Sequence, residues 1–451
     1  MAKCASMNSA FTPHVAFGFN ATWVSLAVLA VTYAFIIVGP FNRAVVALIG
    51  AVVVVLIGAL DQGEAIKGID WDTIGLLAGM MILVSISRRS GLFQYLAIWS
   101  AQRVKANPAG ILLMLQLATA ILSTVLNNVS TVLLIVPVTL VIAEELELPP
   151  YPFLFAEVFA SNIGGTATLI GDPPNILIGS QAGLDFNAFV FNNGPVILLI
   201  MAVQVVMIHL IWGRSMRASP ESRVLVMGMN APGMITDWVL LRRSITVLAA
   251  VLAAFLFAAP LHLQPATIAL AGAAALMLLD NWKHRGPKQA DNVHSTFADV
   301  EWTTIFFFIG LFIVVHAVEA SGLLSIVAGR LVTLTGGDIA LAGAIILWVS
   351  AILSAVLDNI PFVATMIPLI KGMAPAFGGP KAIEPLWWCL SLGACLGGNG
   401  TLTGASANLA VAGIAERNGI RFGFVQYLAY GVPLTLVSIA ICQAYVWLRY
   451  F

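Results

Sequence analysis

The chain has 451 residues, 60% of them hydrophobic and only 9% charged, with a mean hydropathy of +0.97. Soluble domains carry roughly a quarter charged residues, so a soluble fold is excluded and a polytopic membrane protein is indicated. Lys and Arg number 21 and balance 21 Asp and Glu to a formal net charge of zero, and without a basic patch interleaved with aromatics nucleic acid is excluded as a partner.

At the start of the chain no basic stretch leads into a short apolar core and a small-residue cleavage site, so no removable signal peptide is expected. Apolar runs of spanning length place helices near 22–39, 43–60, 72–88, 152–181, 192–212, 241–259, 263–280, 301–319, 384–416 and 427–448. Residues 91–105 and 322–335 are too short and too amphipathic to cross, and read as helices lying along the membrane surfaces. Two longer apolar runs, 108–143 and 338–371, carry polar tips near their middles, Asn127-Asn128-Val129-Ser130-Thr131 and Asp358-Asn359-Ile360-Pro361. Such tips make poor exposed loops, so both runs are expected to be re-entrant helical hairpins that stop inside the protein.

Two spans are expected to break. In 152–181 a helix must cross Gly164, Gly165 and Gly171 and then stop at Asp172-Pro173-Pro174, because proline lacks the amide hydrogen and crowds the preceding turn. A second copy, with Gly397, Gly398 and Gly404, lies in 384–416. A spacing of 233 matches Gly164-Gly165 to Gly397-Gly398, Thr168 to Thr401, Gly171 to Gly404 and Asn175 to Asn408. A spacing of 231 likewise matches Trp71, Asn127-Asn128 and Pro137 to Trp302, Asp358-Asn359 and Pro368.

The expected fold is therefore an all-α polytopic membrane protein of two repeats, 1–213 and 241–451, joined by a polar linker, 214–240. With both hairpins returning to the side they enter, each repeat makes five crossings and the two insert upside down relative to each other. Fifteen of the 21 Lys and Arg then fall on the face that carries the linker, which the positive-inside rule makes cytoplasmic, with both termini external. Inverted repeats with interrupted helices are the architecture of secondary transporters.

Freed backbone at the tips and breaks offers amides and carbonyls to a solute. Around it stand the candidate substrate-binding residues Asn127, Asn128, Ser130, Thr131, Thr168, Asn175, Asn359, Asn399, Thr401 and Asn408. Intramembrane carboxylates mark ion or proton paths, so Asp172, Asp358 and Glu157 are candidates for coupling, although Asp172 before two prolines also suits a helix N-cap. No Lys or Arg falls in the lining except Lys371 and Lys381 at the outer end of a hairpin. That favours a small hydroxylated solute or a weakly hydrated ion over a polycarboxylate, which calls for a deep base. The tips differ, Asn127-Asn128 against Asp358-Asn359, and GDPPN is answered by GASAN, which argues against two equal ion sites.

Other groups read as structural. Cys4, Cys389, Cys395 and Cys442 show no paired spacing and read as small apolar fillers, with no metal knuckle or disulfide framework. His209, His262, His284 and His294 are scattered, and His316, beside Glu319 at helical spacing, reads as a packed neutral side chain. No GxxxxGK[ST] loop and no nucleophile–base or metal-ligand spacing stands out, so no enzyme, cofactor or metal site is expected.

The stretches NNVSTVLLIVP with GGTATLIGDPPNILIGS, and LDNIPFVATMIP with GGNGTLTGASANLAVAGIAE, resemble the ion transporter superfamily over nearly the whole chain. Within it they look most like the branch of ArsB-type arsenite permeases, NhaD-type sodium/proton antiporters and the P protein of pigment cells. The resemblance implies a multi-pass secondary transporter of the cell (inner) membrane that holds its solute between hairpin tips and helix breaks. On the ArsB side it implies proton-coupled efflux of arsenite or antimonite, as trihydroxides that amides and hydroxyls can hold, and admits a cytosolic arsenite-stimulated ATPase docking on the linker. A sodium/proton antiporter and an anion or carboxylate transporter are the alternatives it leaves open.

Overall fold

Backbone polar groups in hydrocarbon must be satisfied within the protein, which leaves helices as the economical solution for a chain this apolar. The computed structural model describes residue 15 and residues 18–39, 41–283 and 285–451, and contains no strand among them. Lys3, Cys4, His284 and the expectation about a signal peptide lie outside the described residues. Ten helices among them are long and apolar enough to cross a membrane.

Five expected spans appear as Ala21–Val38, Trp71–Arg88, Trp238–Leu256, Trp302–Ala320 and Phe424–Tyr450. The 192–212 span is Gly194–Ile208, continued by a π turn over His209–Gly213. Two others are shorter than read: 43–60 is Arg43–Leu56 followed by the short helix Gln62–Lys67, and 263–280 is Pro265–Asn281. Short helices at Phe186–Asn192, Pro220–Gly228 and Pro287–Ala298 were not foreseen, because none is apolar enough to stand out from its neighbours.

The two long runs are pairs of helices with turns at the expected tips: Pro108–Val125 with Asn128–Glu145, and Ile339–Val356 with Asn359–Phe377. Asn127 Oδ1 accepts from the Ser130 amide at 2.6 Å and Asp358 Oδ1 from the Ile360 amide at 3.2 Å, so each tip residue caps the arm that follows it. Each arm is long enough to cross alone; what distinguishes the tips is that Asn127, Asn128 and Asn359 are buried, at 8%, 3% and 3% exposure.

Both expected breaks occur, with one difference. The first helix does not falter at Gly164 and Gly165 but runs through them as Tyr151–Thr166, and the second half-helix begins at Pro173. The prolines start the second half-helix rather than stop the first, since the missing amide of an N1 proline is free anyway. In the second repeat Glu384–Gly397 tightens into a 3₁₀ turn at Gly398–Gly400 and resumes as Ser406–Arg417.

The glycines have a packing reason instead. A Cβ on Gly164 would stand 2.2 Å from the Ala120 carbonyl oxygen, and one on Gly397 would stand 2.5 Å from that of Ala351. Each broken helix thus lies backbone to backbone on the first arm of its own hairpin, and Ser123 and Ser354 hydroxyls, donating to the Ser161 and Ala394 carbonyls at 2.6 and 2.5 Å, fasten the same contact. The repeats interlock elsewhere: Arg43–Leu56 packs along Trp302–Ala320, and Pro265–Asn281 along Trp71–Arg88.

Gly164→Ala pits a helix-propensity gain of up to about 1 kcal/mol against a backbone clash. Overpacking costs about 1–3 kcal/mol, so the purified variant is expected to unfold several degrees earlier. Gly413→Ala, whose new Cβ would meet nothing closer than 3.7 Å, serves as the control. Equal melting of Gly164→Ala and the parent would contradict the close-packed contact.

Candidate functional site

The first hairpin tip is bonded to the first helix break through both backbone and side chain. The Asn128 amide donates to the Gly171 carbonyl at 3.1 Å. Its side-chain Nδ2 donates to Asn162 Oδ1 at 3.0 Å and to Asp172 Oδ1 at 3.2 Å, and Asn359 Nδ2 from the second tip reaches the same Asp172 oxygen at 3.5 Å. Asp172 occupies the N-cap position but makes no capping bond. It is fully buried, and its other oxygen, Oδ2, has no hydrogen-bond partner. The tips therefore present their amides to a carboxylate rather than the carboxylate to the helix.

A second group of residues bolts the two breaks together. Asn162 Nδ2 donates across the repeats to Asn399 Oδ1 at 2.8 Å and Asn408 Oδ1 at 2.9 Å. Asn408 Nδ2 spans its own break, donating to the Gly398 and Thr401 carbonyls, both at 2.8 Å. Asn175 does the same in the first repeat, donating to the Thr166 and Thr168 carbonyls at 3.1 and 2.9 Å, while its Oδ1 accepts from Ser391 Oγ at 2.6 Å and Cys395 Sγ at 3.4 Å. Each break asparagine thus receives a donor from the opposite repeat. Cys395, expected to be a filler, is one of those donors.

The sequence candidates therefore divide. Asn127, Asn128, Asp172 and Asn359 converge on one small cavity, whereas Asn175, Asn399 and Asn408 serve the breaks. Thr168 Oγ1 donates to the Thr124 carbonyl at 2.6 Å, and Thr401 Oγ1 to the Ala355 carbonyl, so both fasten breaks to hairpins and turn away from the cavity. Ser130 and Thr131 sit in the first turn after the tip, the Thr131 hydroxyl donating to the Asn127 carbonyl at 3.0 Å. Glu157 is fully buried apart from the cavity, holding the Thr139 hydroxyl on Oε1 with Oε2 unpartnered. His316 faces Glu64 at 3.8 Å and Glu319 at 3.5 Å rather than packing among apolar groups alone.

Arg43 overturns the expectation that no base reaches the site. It opens the helix Arg43–Leu56, and its Nη1 donates to Asp358 Oδ2 at 2.6 Å and Ser406 Oγ at 2.7 Å, while Ser406 itself donates to Asp358 at 2.9 Å. The guanidinium lies 5.1 Å over the Phe307 ring. Arginine at the end of an apolar helix reads as a membrane-surface anchor, and nothing in one sequence distinguishes that from a side chain turned inward. Glu301, likewise read as a helix end, and Thr304 and Ser406 also line the cavity without having been among the candidates.

The cavity measures about 20 Å³, enough for one water-sized occupant, and its polar lining is Arg43, Asn127, Asn128, Asp172, Glu301, Thr304, Asn359 and Ser406. Beside the Arg43–Asp358 pair the cavity lining holds two further carboxyl groups, Asp172 and Glu301, and no second base. Interrupted helices and buried carboxyl groups around one small cavity are features of membrane transporters.

The chain belongs to the citrate transporter family, whose profile matches residues 33–393. It is 41% identical over 432 residues to an uncharacterized transporter of Mycobacterium tuberculosis, covering 95% of this chain and 98% of that one. It is also 33% identical over 505 residues to the human P protein, covering 94% of this chain and 59% of that protein. In fold it is similar to the Alcanivorax borkumensis YdaH transporter, with a TM-score of 0.62 at 13% identity over 96% of this chain and 99% of that one. Neisseria gonorrhoeae MtrF, described within a class of antimetabolite efflux pumps, matches with a TM-score of 0.59 at 12% identity over 96% of both chains. The protein is a multi-pass membrane transporter.

Asn162→Ala would strand Asn399, Asn408 and Asn128 in a dry interior at about 1–3 kcal/mol for each group left unpaired. Thermal unfolding in detergent is expected to fall well below the parent; an unchanged transition would mean that the bolt is replaceable.

Proposed function

We propose that this chain is a cation-coupled secondary transporter of a small carboxylate or other oxyanion, built as an inverted repeat with re-entrant hairpins. The observation that carries the reading is the Arg43–Asp358 pair beside the unpartnered oxygen of Asp172. One base, Arg43, faces the carboxyl groups of Asp358, Asp172 and Glu301, so an anion can enter only with those groups neutralised by protons or a sodium ion; Arg43 released from Asp358 is then a matched partner for the solute carboxylate. Cation and anion then favour each other's binding, which is the thermodynamic content of coupling. Family membership supports the carboxylate class.

The arsenite or antimonite trihydroxide implied by the resemblance took added support from a lining without a base, and Arg43 removes that support. Sodium/proton exchange is the second reading, because a cavity of about 20 Å³ accommodates a bare ion but no citrate without opening.

Proteoliposomes under imposed proton or sodium gradients, assayed in parallel with labelled citrate, succinate and arsenite, separate these readings. Accumulation of a carboxylate is expected, with Arg43→Gln lowering it by about tenfold or more, the scale of a lost charge-assisted bond. Asp172→Asn is expected to abolish gradient-driven accumulation yet keep solute counterflow. Arsenite accumulation alone, or sodium-driven proton movement without any carried anion, would overturn the proposal. Impermeant labelling of single cysteines in a Cys-free background tests the inverted repeat: Ser219→Cys should react from the cytoplasmic side and Gln62→Cys from outside, and the same sidedness for both would refute it.

A further inference from the structure

A second cavity, of about 960 Å³, lies apart from the transport site and has two unlike walls. One is a face of the second arm of the first hairpin: Leu133, Pro137 and Val141 succeed one another turn by turn, all exposed, with Leu133 at 40% and Val141 at 50%. Pro137 has no amide hydrogen, so the Leu133 carbonyl on this wall lacks its helical donor. The other wall carries two guanidinium groups. Arg88 and Arg89 close the spanning helix Trp71–Arg88 and therefore stand at headgroup level.

Both arginines are held by aspartates, Arg88 Nη2 by Asp299 at 2.9 Å and Arg89 Nη2 by Asp280 at 2.8 Å. Those bonds use one nitrogen of each guanidinium, which has five donors. Arg89 Nε is buried without a partner, and so is Gln94 Oε1 on the adjoining helix Leu92–Arg103. The inter-repeat linker forms the rim, where the Thr236 hydroxyl and amide donate to the Arg89 and Ser90 carbonyls at 2.5 and 3.1 Å.

In a bilayer the molecule that offers an acyl chain to one wall and an anion to the other is an acidic phospholipid. We propose that this cavity is a binding site for an anionic phospholipid, its phosphate on the free donor edges of Arg88 and Arg89 and one acyl chain along the Leu133–Val141 face. The volume suits a ligand of that size. A lipid there touches the hairpin arm that carries Asn128 at its other end, as well as the linker between the repeats, so its occupancy bears on the transport site without entering it.

Native mass spectrometry of the full chain in detergent, with phosphatidylglycerol or phosphatidylcholine added, tests the proposal. Selective retention of phosphatidylglycerol is expected, falling about fivefold in Arg89→Gln. Leu133→Trp, which leaves both ion pairs intact and fills the apolar wall, should lower it comparably in a protein with parental melting. Equal retention of the two lipids, unchanged retention in Leu133→Trp, or displacement of phosphatidylglycerol by millimolar inorganic phosphate would each overturn the site, the last by showing that a free anion suffices.

Discussion

Interrupting a helix at membrane depth strands backbone amides and carbonyls where no water can reach them, and each unpaired group costs several kcal/mol. Asn175 and Asn408 meet that cost by spanning their own breaks with two bonds each, and Asn162 ties the second break to the first. Everything at the site depends on these amides. With the gaps held open, half-helices can begin at Pro173 and Ser406, Asp172 can sit at the start of one without capping it, and the hairpin tips can bond to the gaps. Asparagine suits the task because one side chain both donates and accepts.

Upon this frame the charges are arranged unequally. At the tips, Asn127 in one repeat corresponds to Asp358 in the other, and at the breaks Asp172 corresponds to Ala405. One repeat thus supplies a carboxylate at the break and the other at the tip, and Arg43 claims only the tip carboxylate. Asp358 thus answers to a base, whereas Asp172 takes its bonds from the amides of Asn128 and Asn359 and leaves Oδ2 without a hydrogen-bond partner.

The architecture was legible where it leaves a periodic or repeated mark. Apolar runs, polar hairpin tips and the two glycine-rich copies at constant spacing located the spans, the turns and both breaks, because each is a local demand on residue type. The exact start of the break was not legible: Gly164 and Gly165 look like helix breakers, and only the Ala120 carbonyl beneath them reveals a packing surface. Residue roles inside the site split in the same way. Asparagine and threonine at matched positions announced a polar centre, but whether each lines the cavity or fastens a break depends on side-chain direction, which Thr168 and Thr401 illustrate. Arg43 escaped because its partner is 315 residues away and its own neighbourhood reads as a membrane anchor.

The central claim is that contact between the Arg43 helix and the second hairpin tip must be broken and remade in each transport cycle. Cysteines placed at positions 43 and 358 of a Cys-free chain would abolish the native pair, so the sharper measurement joins their neighbours, Ala44→Cys and Leu357→Cys, with a short reducible bifunctional thiol reagent in proteoliposomes taking up labelled citrate. The account predicts that cross-linking stops uptake and that reduction restores it. Uptake continuing at the parental rate in fully cross-linked protein would contradict it.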